Sequence, residues 1–488
     1  MTSVRRALAL TFFERYLTVL LALASNIILA RLLTPDQIGM YSVSLAAIGI
    51  AHVLREFGIG NYLIQERELT EPHIRTAFGL SLMLGGSLFL LLVLAAPYIA
   101  AFYREQAMAT TLRIVALNFL VLPFSTVAGS LLRRDMQFRR LVPVALLAAA
   151  ASFATTVALA WAGMGADSMA VGSVVQNLLI GIGNWWVTPQ RRIRKPGFSE
   201  WRRVLSFGGQ STMTNVVTTV AMDANDLVVG KVLGFPAVAI LSRAQGLMNL
   251  FHRDAMNAVR AVAMPAFAQG AREGEPMAER FLSSVTMVTL FAWPFYGWVS
   301  LYPLEALRLL FGPQWDVAAP LVPLFCLAGA IASLSNLVPT LLTAVGRIDL
   351  VTRVELVVQP VRLALIVAAA LVYMEMSAVA WAYLIVTVLS TPIFLWVADK
   401  GIPGILKGIT RAILPSGVVA GAALLPAVVH ISWAGWHRPE PLFLPTVLLV
   451  VATGAVLAVF SAEVMRHPIV NENWYLAARS RLIKRRTA

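Results

Sequence analysis

Residues 30–42, ARLLTPDQIGMYS, lie over residues 230–242, GKVLGFPAVAILS, when the sequence is shifted by 200 positions. Ala30-Arg31-Leu32-Leu33-Thr34 falls on Gly230-Lys231-Val232-Leu233-Gly234, and Ile38, Gly39 and Ser42 fall on Val238, Ala239 and Ser242. The register also holds upstream. Thr11, Arg15, Thr18, Ser25 and Asn26 lie over Ser211, Asn215, Thr218, Asn225 and Asp226, so two apolar segments carry matching polar stripes at helical steps. A loop and a buried polar face that repeat together mark an internal duplication, and the duplication decides the architecture.

Working outward, composition fixes the class. Of 488 residues, 58% are hydrophobic and 13% charged, where soluble domains carry roughly 45–50% and 25%. Apolar segments of about 20 residues, the length that spans a hydrocarbon core, recur along the whole chain and predict an all-α integral membrane protein. Fourteen spans are expected, at 8–31, 38–60, 77–101, 110–131, 142–163, 168–187, 204–230, 237–263, 281–301, 318–344, 350–372, 377–397, 411–430 and 442–462. Turn signals separate them at Thr34-Pro35-Asp36, Gly163-Met164-Gly165, Gly234-Phe235-Pro236 and Gly312-Pro313. Pro123, Pro294 and Pro339 fall inside spans, where they are expected to kink them. Met1 to Arg6 leads into an apolar run too long for a cleavable signal peptide, so the first span is expected to be retained.

Positive charge orients the chain. Of 39 Lys and Arg, counting Arg31, Arg113, Arg353 and Arg411 at span ends with the adjoining connections, 27 fall in alternate connections and the termini, 6 in the opposite connections and 6 inside spans. This bias places both termini in the cytoplasm and accounts for most of the net charge of +14 without nucleic acid. Basic runs such as 191–195 read as topology signals that meet anionic membrane lipids. Cys326 is the single cysteine, which excludes an intrachain disulfide and a thiolate metal cluster. The expected organisation is an N-terminal lobe, 1–190, a basic linker, 191–203, a C-terminal lobe, 204–400, and an extra helix pair with a basic tail, 401–488. Six spans per repeat is an even number, so the lobes share one orientation and are related by an axis along the membrane normal. Such parallel repeats in transporters place substrate where they meet.

The eighth span carries the most polar chemistry. Ser242, Gly246, Asn249, Arg253, Asn257 and Arg260 succeed one another at steps of four, three, four, four and three. On an ideal α-helix they share an arc of roughly 80°. An arginine at the middle of a bilayer costs roughly 2.5–3.5 kcal/mol on insertion scales, so this wall is expected to face water, protein or an anionic ligand. Its repeat counterparts are smaller: Gly49 for Asn249, Val53 for Arg253 and Gly60 for Arg260. Arg15, Arg55 and Arg362 are further cations within spans. Arg55-Glu56 and Arg253-Asp254 set an acid beside each base, and Arg362 is expected to snorkel or to pair with Glu355. Glu14, Glu56, Asp223, Asp226 and Asp254 are candidate sites for a proton or sodium ion, with charge pairing as the plainer role. His52, one turn from Glu56, reads as a packed, hydrogen-bonded histidine. Trp185, Trp186, Trp293 and Trp298 read as interface belt and core.

Several stretches carry a resemblance: Arg31-Leu32-Leu33-Thr34-Pro35 through Tyr41, Phe57-Gly58-Ile59-Gly60 and Leu63-Ile64-Gln65; Ala101-Phe102-Tyr103; Leu131 to Phe138; Ser242-Arg243-Ala244 with Leu247 to Leu250; Phe311-Gly312-Pro313-Gln314-Trp315; and Gly346-Arg347. In this order and spacing they resemble the Wzx-type polysaccharide flippases of the multidrug/oligosaccharidyl-lipid/polysaccharide exporter superfamily. The resemblance covers about residues 8–400. It implies a V-shaped pair of six-helix lobes that alternates between inward and outward openings and moves an undecaprenyl-diphosphate-linked oligosaccharide to the outer leaflet. The last two spans resemble the extra pair of the lipid-carrier branch.

That task fits the polar stripe. A lipid diphosphate carries about two negative charges, and buried guanidinium groups can replace the water it loses. Arginine stays charged and donates parallel hydrogen bonds. The expected diphosphate-binding set is Arg253, Arg260, Arg15, Arg55 and Arg243, with Asn249, Asn257, Asn215, Thr18 and Thr218 as polar cavity residues. No cofactor is expected beyond a coupling ion, and the expected partners are the lipid-linked oligosaccharide, a polysaccharide polymerase and export machinery. Three rival functions remain. A drug or cation exporter of the same superfamily would favour an acidic cavity. A membrane polymerase or ligase would need a larger outer loop than 308–316 or 430–440, and a scaffold has no use for interior arginines.

Overall fold

In the computed structural model the described residues are 17–18, 20–56, 58–188, 195–202, 204, 223–435, 440–465 and 467–471. Among them there is helix and turn but no strand. The first half contains α1 (Leu20–Leu32), α2 (Pro35–Glu56), α3 (Ile59–Gln65), α4 (Glu71–Tyr103), α5 (Ala107–Ala116), α6 (Asn118–Arg134), α7 (Phe138–Trp161) and α8 (Ala166–Val187). A helical segment at 223–232 is α9. The second half contains α10 (Phe235–Asn249), α11 (Met256–Glu273), α12 (Met277–Leu301), α13 (Pro303–Leu310), α14 (Val322–Ala332), α15 (Val338–Ala344), α16 (Ile348–Tyr373), α17 (Met376–Gly401), α18 (Ile405–Ala434) and α19 (Leu444–Val464). Helix occupies most of every stretch expected to span, the first, second and seventh only where they are described. Among the described residues, eight helices or merged helix pairs are long and apolar enough to cross a bilayer by length and composition.

The chain divides into two compact units, Met1–Ala239 and Ile240–Ala488. The division falls inside the eighth expected span, so α9 and the start of α10 belong with the first unit. Their contacts give the reason. The Tyr103 hydroxyl donates to the Leu227 carbonyl at 3.1 Å. The Lys231 ammonium donates to the Phe102 carbonyl and lies 4.2 Å from the Phe102 ring centroid. Gly39, near the start of α2, comes so close to the Phe235 carbonyl that a Cβ there would sit 1.8 Å from its oxygen. The duplicated loop thus meets its own repeat.

In the first unit, α2 opens on a reciprocal cap: Thr34 N–H donates to Gln37 Oε1 at 3.1 Å, and Gln37 N–H to Thr34 Oγ1 at 3.3 Å. Polar side chains join α6 to α8. Asn118 Nδ2 donates to Ser173 Oγ at 3.1 Å, and Asn177 Nδ2 to Asn118 Oδ1 at 2.9 Å. Arginines of the connections close helix ends. Arg134 donates to the carbonyls of Leu63 (3.0 Å), Ile64 (3.2 Å) and Arg67 (3.3 Å) at the end of α3, and Arg140 to Val187 (2.8 Å) at the end of α8. Basic groups suit carbonyl-rich helix C-termini, so these residues do more than bias topology. His52 packs its ring 4.9 Å from that of Phe119.

In the second unit, α18 lies along α12. Ser416 Oγ donates to the Thr286 carbonyl at 2.9 Å, Thr286 Oγ1 to the Ala412 carbonyl at 2.9 Å, and Trp298 Nε1 to the Ala423 carbonyl at 3.3 Å. Gly454 of α19 meets Ala423 so closely that a Cβ would fall 2.1 Å from its oxygen. Pro123 and Pro294 lie inside helices as expected. Pro339 does not: the tenth expected span breaks into turn at 333–337, and Pro339 sits in the first turn of α15. Proline lacks an N–H to give to the preceding turn, so it starts the second half of a divided helix instead of bending a continuous one.

This packing leads to two expected outcomes. Gly39→Ala should lower the thermal midpoint in detergent, at a cost of about 1–3 kcal/mol for an overpacked site. Gly86→Ala, with nothing within 4 Å of the added carbon, should be neutral or stabilising by up to about 1 kcal/mol. Equal behaviour of the two would contradict the close approach at Gly39.

The second outcome concerns His467, beyond α19, which is fully buried. Its Nδ1 accepts from Ile469 N–H at 3.2 Å, so its Nε2 carries the hydrogen shared with Ser416 Oγ at 3.2 Å. Burial holds the imidazole below its ordinary range. The folded state therefore binds this proton less well than the unfolded state. The stability it contributes is complete above about pH 6.5, the ordinary histidine value, and is lost as pH falls through the lowered folded value. Melts of His467→Gln and the parent from pH 7.5 to about 4.5 should converge at the acid end; a constant difference would exclude the linkage.

Candidate anion site

The eighth span is not one regular α-helix. Between α10 and α11, Leu250–Ala255 form a π-helical turn with no interruption of the chain direction. A π turn takes about one residue more than an α turn, which rotates α11 against α10 by about the 100° of one residue. The six-residue arc read from α periodicity therefore does not persist along the span. Its arginines have three different surroundings.

Before the π turn, Arg243 is 7% exposed. Its guanidinium lies 4.9 Å from the ring centroid of Phe311 and 5.0 Å from that of Trp315. This is a cation held between two aromatic faces. Within the turn, Arg253 points outward, its side chain 65% exposed, and its Nε donates to Asp254 Oδ1 at 2.9 Å. The acid next door is its partner, although neighbours on an α-helix diverge by about 100°. After the turn, Arg260 is half-buried. Its Nη2 donates to Asn257 Oδ1 at 2.8 Å and its Nη1 to Asn336 Oδ1.

The signal that would have marked Asn336 is a polar stripe in the tenth expected span, where Ser333, Asn336, Thr340 and Thr343 succeed one another at steps of three, four and three. Asn336 lies in the turn between α14 and α15. Its Nδ2 donates to the His252 carbonyl at 3.3 Å and lies 3.3 Å from His252 Nδ1. The interruption of one helix is thereby tied to the π turn of another. Arg362, on α16, stacks over Tyr383 at 5.5 Å from the ring centroid, and its Nε is buried without a hydrogen-bond partner. Glu355 accepts instead from Gln359 Nε2 at 2.6 Å, and neither Arg260 nor Arg362 forms an ion pair with a described carboxylate. Guanidinium groups answered only by amide oxygens and a ring retain their attraction for an anion.

Among the other expected residues, Asn249 is half-buried at the end of α10, Asn257 is exposed apart from its bond to Arg260, and Thr18 is half-buried. Asp223 and Asp226 lie half-buried on α9. Arg15, Glu14, Asn215 and Thr218, with the side chains of Arg55 and Glu56, lie outside the described residues. The structure thus brings Arg260 and Asn257 together with Asn336 and, through it, His252, whereas Arg362 stacks on Tyr383 and Arg243 and Arg253 have partners of their own.

Comparison with known proteins adds identity to this geometry. The chain is 27% identical over 354 residues to the teichuronic acid biosynthesis protein TuaB of Bacillus subtilis, covering 71% of this chain and 72% of that one. It is 25% identical over 338 residues to the lipopolysaccharide biosynthesis protein WzxC of Escherichia coli, covering 68% of each. Its fold is shared with a lipid II flippase, MurJ, in an inward closed conformation, at a TM-score of 0.72 and 13% identity over 95% of this chain and 99% of that one. The model of the polysaccharide biosynthesis protein family matches residues 28–320, more than half of the chain, and to that family this multi-pass membrane protein belongs.

Proposed function

We propose that this protein is a flippase. It moves an undecaprenyl-diphosphate-linked oligosaccharide from the inner to the outer leaflet of the bacterial cytoplasmic membrane, by alternating access, for assembly of an O-antigen, capsule or exopolysaccharide. The observation that carries the reading is the pair Arg260 and Arg362 in the membrane-spanning part of the second unit, engaged by amides and an aromatic ring rather than by described carboxylates. Such charge favours an anionic headgroup over a cationic drug. Relatives named for lipopolysaccharide and teichuronic acid biosynthesis, and a fold shared with a lipid II flippase, support a lipid-linked glycan as the cargo.

The activity is transport, with no bond made or broken. Arg15 and Arg55 are the candidate diphosphate-binding cations of the first unit. Arg253 and Arg243 stand along the same span, and Asn249, Asn257, Asn215, Thr18 and Thr218 offer hydrogen bonds to sugar hydroxyls or water. Asp223, Asp226, Glu14 and Glu56 are the candidate groups for a coupling proton or sodium ion. The excess of Lys and Arg in alternate connections orients both termini toward the cytoplasm. A polysaccharide polymerase and export machinery take the product onward.

The test is leaflet movement in proteoliposomes of a short oligosaccharide on an isoprenoid diphosphate, read by its accessibility to an impermeant lectin. The parent protein should move the probe. Arg260→Ala should slow it about tenfold or more, the scale of one lost charge-assisted hydrogen bond, and Arg260→Lys should recover part of the rate. Failure of the correctly inserted parent to move any diphosphate-linked probe would overturn the reading.

A further inference from the structure

A cavity of about 460 Å³ lies in the first unit, between residues 120–124 of α6 and 178–186 of α8. Its lining is aliphatic and aromatic apart from Gly181, with no side-chain hydroxyl, amide or charged group. The volume falls within the roughly 300–1,000 Å³ of small-molecule sites. Gly181 brings the two helices close, since an added Cβ would touch Val121 Cγ1 at 3.5 Å. Behind the lining rings of Phe124 and Trp185 stands buried Phe78, the three centroids 5.5, 5.6 and 5.7 Å apart. On the open side Leu178, Ile182 and Trp186 are exposed, and on a spanning helix such exposure is to hydrocarbon. A groove of this kind takes a lipid chain in preference to water, which needs polar partners.

The groove has the depth of one leaflet. From Leu178 to Trp186 the helix rises about 12 Å, against about 15 Å for half of the hydrocarbon core. It ends where α8 ends, and that end carries charge. Arg140, near the start of α7, donates from Nη1 to the carbonyl of Val187, the residue after Trp186, at 2.8 Å. This bond holds the guanidinium at the mouth of the groove and uses one of its five N–H donors. Arg140 is exposed and forms no ion pair with a described carboxylate, and Arg139 beside it is exposed too. A phosphate here gains charge-assisted hydrogen bonds while its chain enters the groove.

The other large cavity lacks this combination. It has about 540 Å³ between α16 and α17, and its polar rim is Glu375 and Ser377, with Ser377 Oγ donating to the Glu375 carboxylate at 2.9 Å. A carboxylate there repels an anionic headgroup.

We infer that the groove between α6 and α8 is a binding site for one anionic phospholipid, its acyl chain against Ile182 and Trp186 and its phosphate on Arg140. On the orientation proposed above, this lipid comes from the cytoplasmic leaflet. The site lies wholly in the first unit, whereas Arg260 and Asn336 lie in the second, and its occupant is a membrane lipid and not the cargo.

The test is mass spectrometry of the intact full-length protein released from detergent, counting retained phosphatidylglycerol or phosphatidylcholine of the same chains. The parent should retain phosphatidylglycerol about tenfold better, the scale of one charge-assisted hydrogen bond. Arg140→Gln should cut that preference below about threefold with phosphatidylcholine unchanged, and Arg140→Lys should restore part of it. A merely structural role at the end of α8 would not change a headgroup preference. Ile182→Trp, which fills the groove, should weaken both lipids about tenfold by displacing several methylenes, and it serves should Arg140→Gln not fold. Ile385→Trp, in the other cavity, should alter neither. Equal retention of both lipids by the parent, full preference in Arg140→Gln, or unchanged retention in Ile182→Trp would overturn the site. Displacement of phosphatidylglycerol by glycerol 3-phosphate would show a headgroup site without a chain, and displacement by farnesyl diphosphate would give the groove to the cargo; either result overturns it as well.

Discussion

In an apolar solvent, each backbone N–H and C=O must find its partner inside the protein, and this requirement governs the whole chain. Regular helix meets it along most spans, and the informative places are those where helix stops or changes pitch. At several of these a side chain from another element takes over a freed group. Arg134 and Arg140 cover the carbonyl ends of α3 and α8. Asp399 of α17 accepts from the N–H groups of Gly404 and Leu406, both at 3.0 Å, at the start of α18. Trp293 and Asn336 do the same around the broken tenth span. The candidate site arises at such a place, because two interruptions that satisfy one another leave polar groups gathered where continuous helices would leave none.

The architecture was legible because it is written in periodicities and repeats. The duplicated loop, the apolar run lengths and the charge bias all act over short stretches of chain, so a reading along the sequence recovers them. The Thr34-x-x-Gln37 cap and the Gly312-Pro313 turn are local in the same way, and Gly312 does take a positive φ of 101°. The stretch Phe311 to Trp315, which the sequence marks only as part of a family pattern, has a physical function in the fold: its two aromatic rings enclose Arg243.

The site was legible only in part. Asn257 and Arg260 are three residues apart, and helical spacing brings them together correctly. The other partners come from far along the chain, Asn336 by 76 residues and Arg362 from a different helix. Ser333, Asn336, Thr340 and Thr343 do form a local stripe in the tenth span, but nothing in it names an arginine of another span as the partner of Asn336. The π turn is a second obstacle. It goes with packing, with Phe251 against Phe295 and Tyr296 at ring separations of 5.7 and 5.8 Å, and it shifts the phase of the polar stripe. The two arginines placed in one arc by 3.6-residue periodicity consequently part, Arg253 into an exposed ion pair and Arg260 into a site with Asn257 and Asn336.

The repeat sharpens what this division means. Gly60 holds the position of Arg260 in the first repeat, and a Cβ there would already lie 3.1 Å from Ser130 Oγ. That position in the first unit is used for close packing and has little room for a guanidinium. Val43 stands where the second repeat has Arg243, and its side chain fills the space beside Gly230, where an added Cβ would fall 2.5 Å from it. A duplicated scaffold needs its contacts in both copies only where they hold the helices together. Once one copy supplies that packing with small and branched apolar residues, the equivalent positions of the other are free to carry charge, provided that something else satisfies the backbone and orients the charged group. Asn336 meets both conditions, and this is why one amide can matter more to the chemistry of the second unit than any of the more conspicuous arginines on its surface.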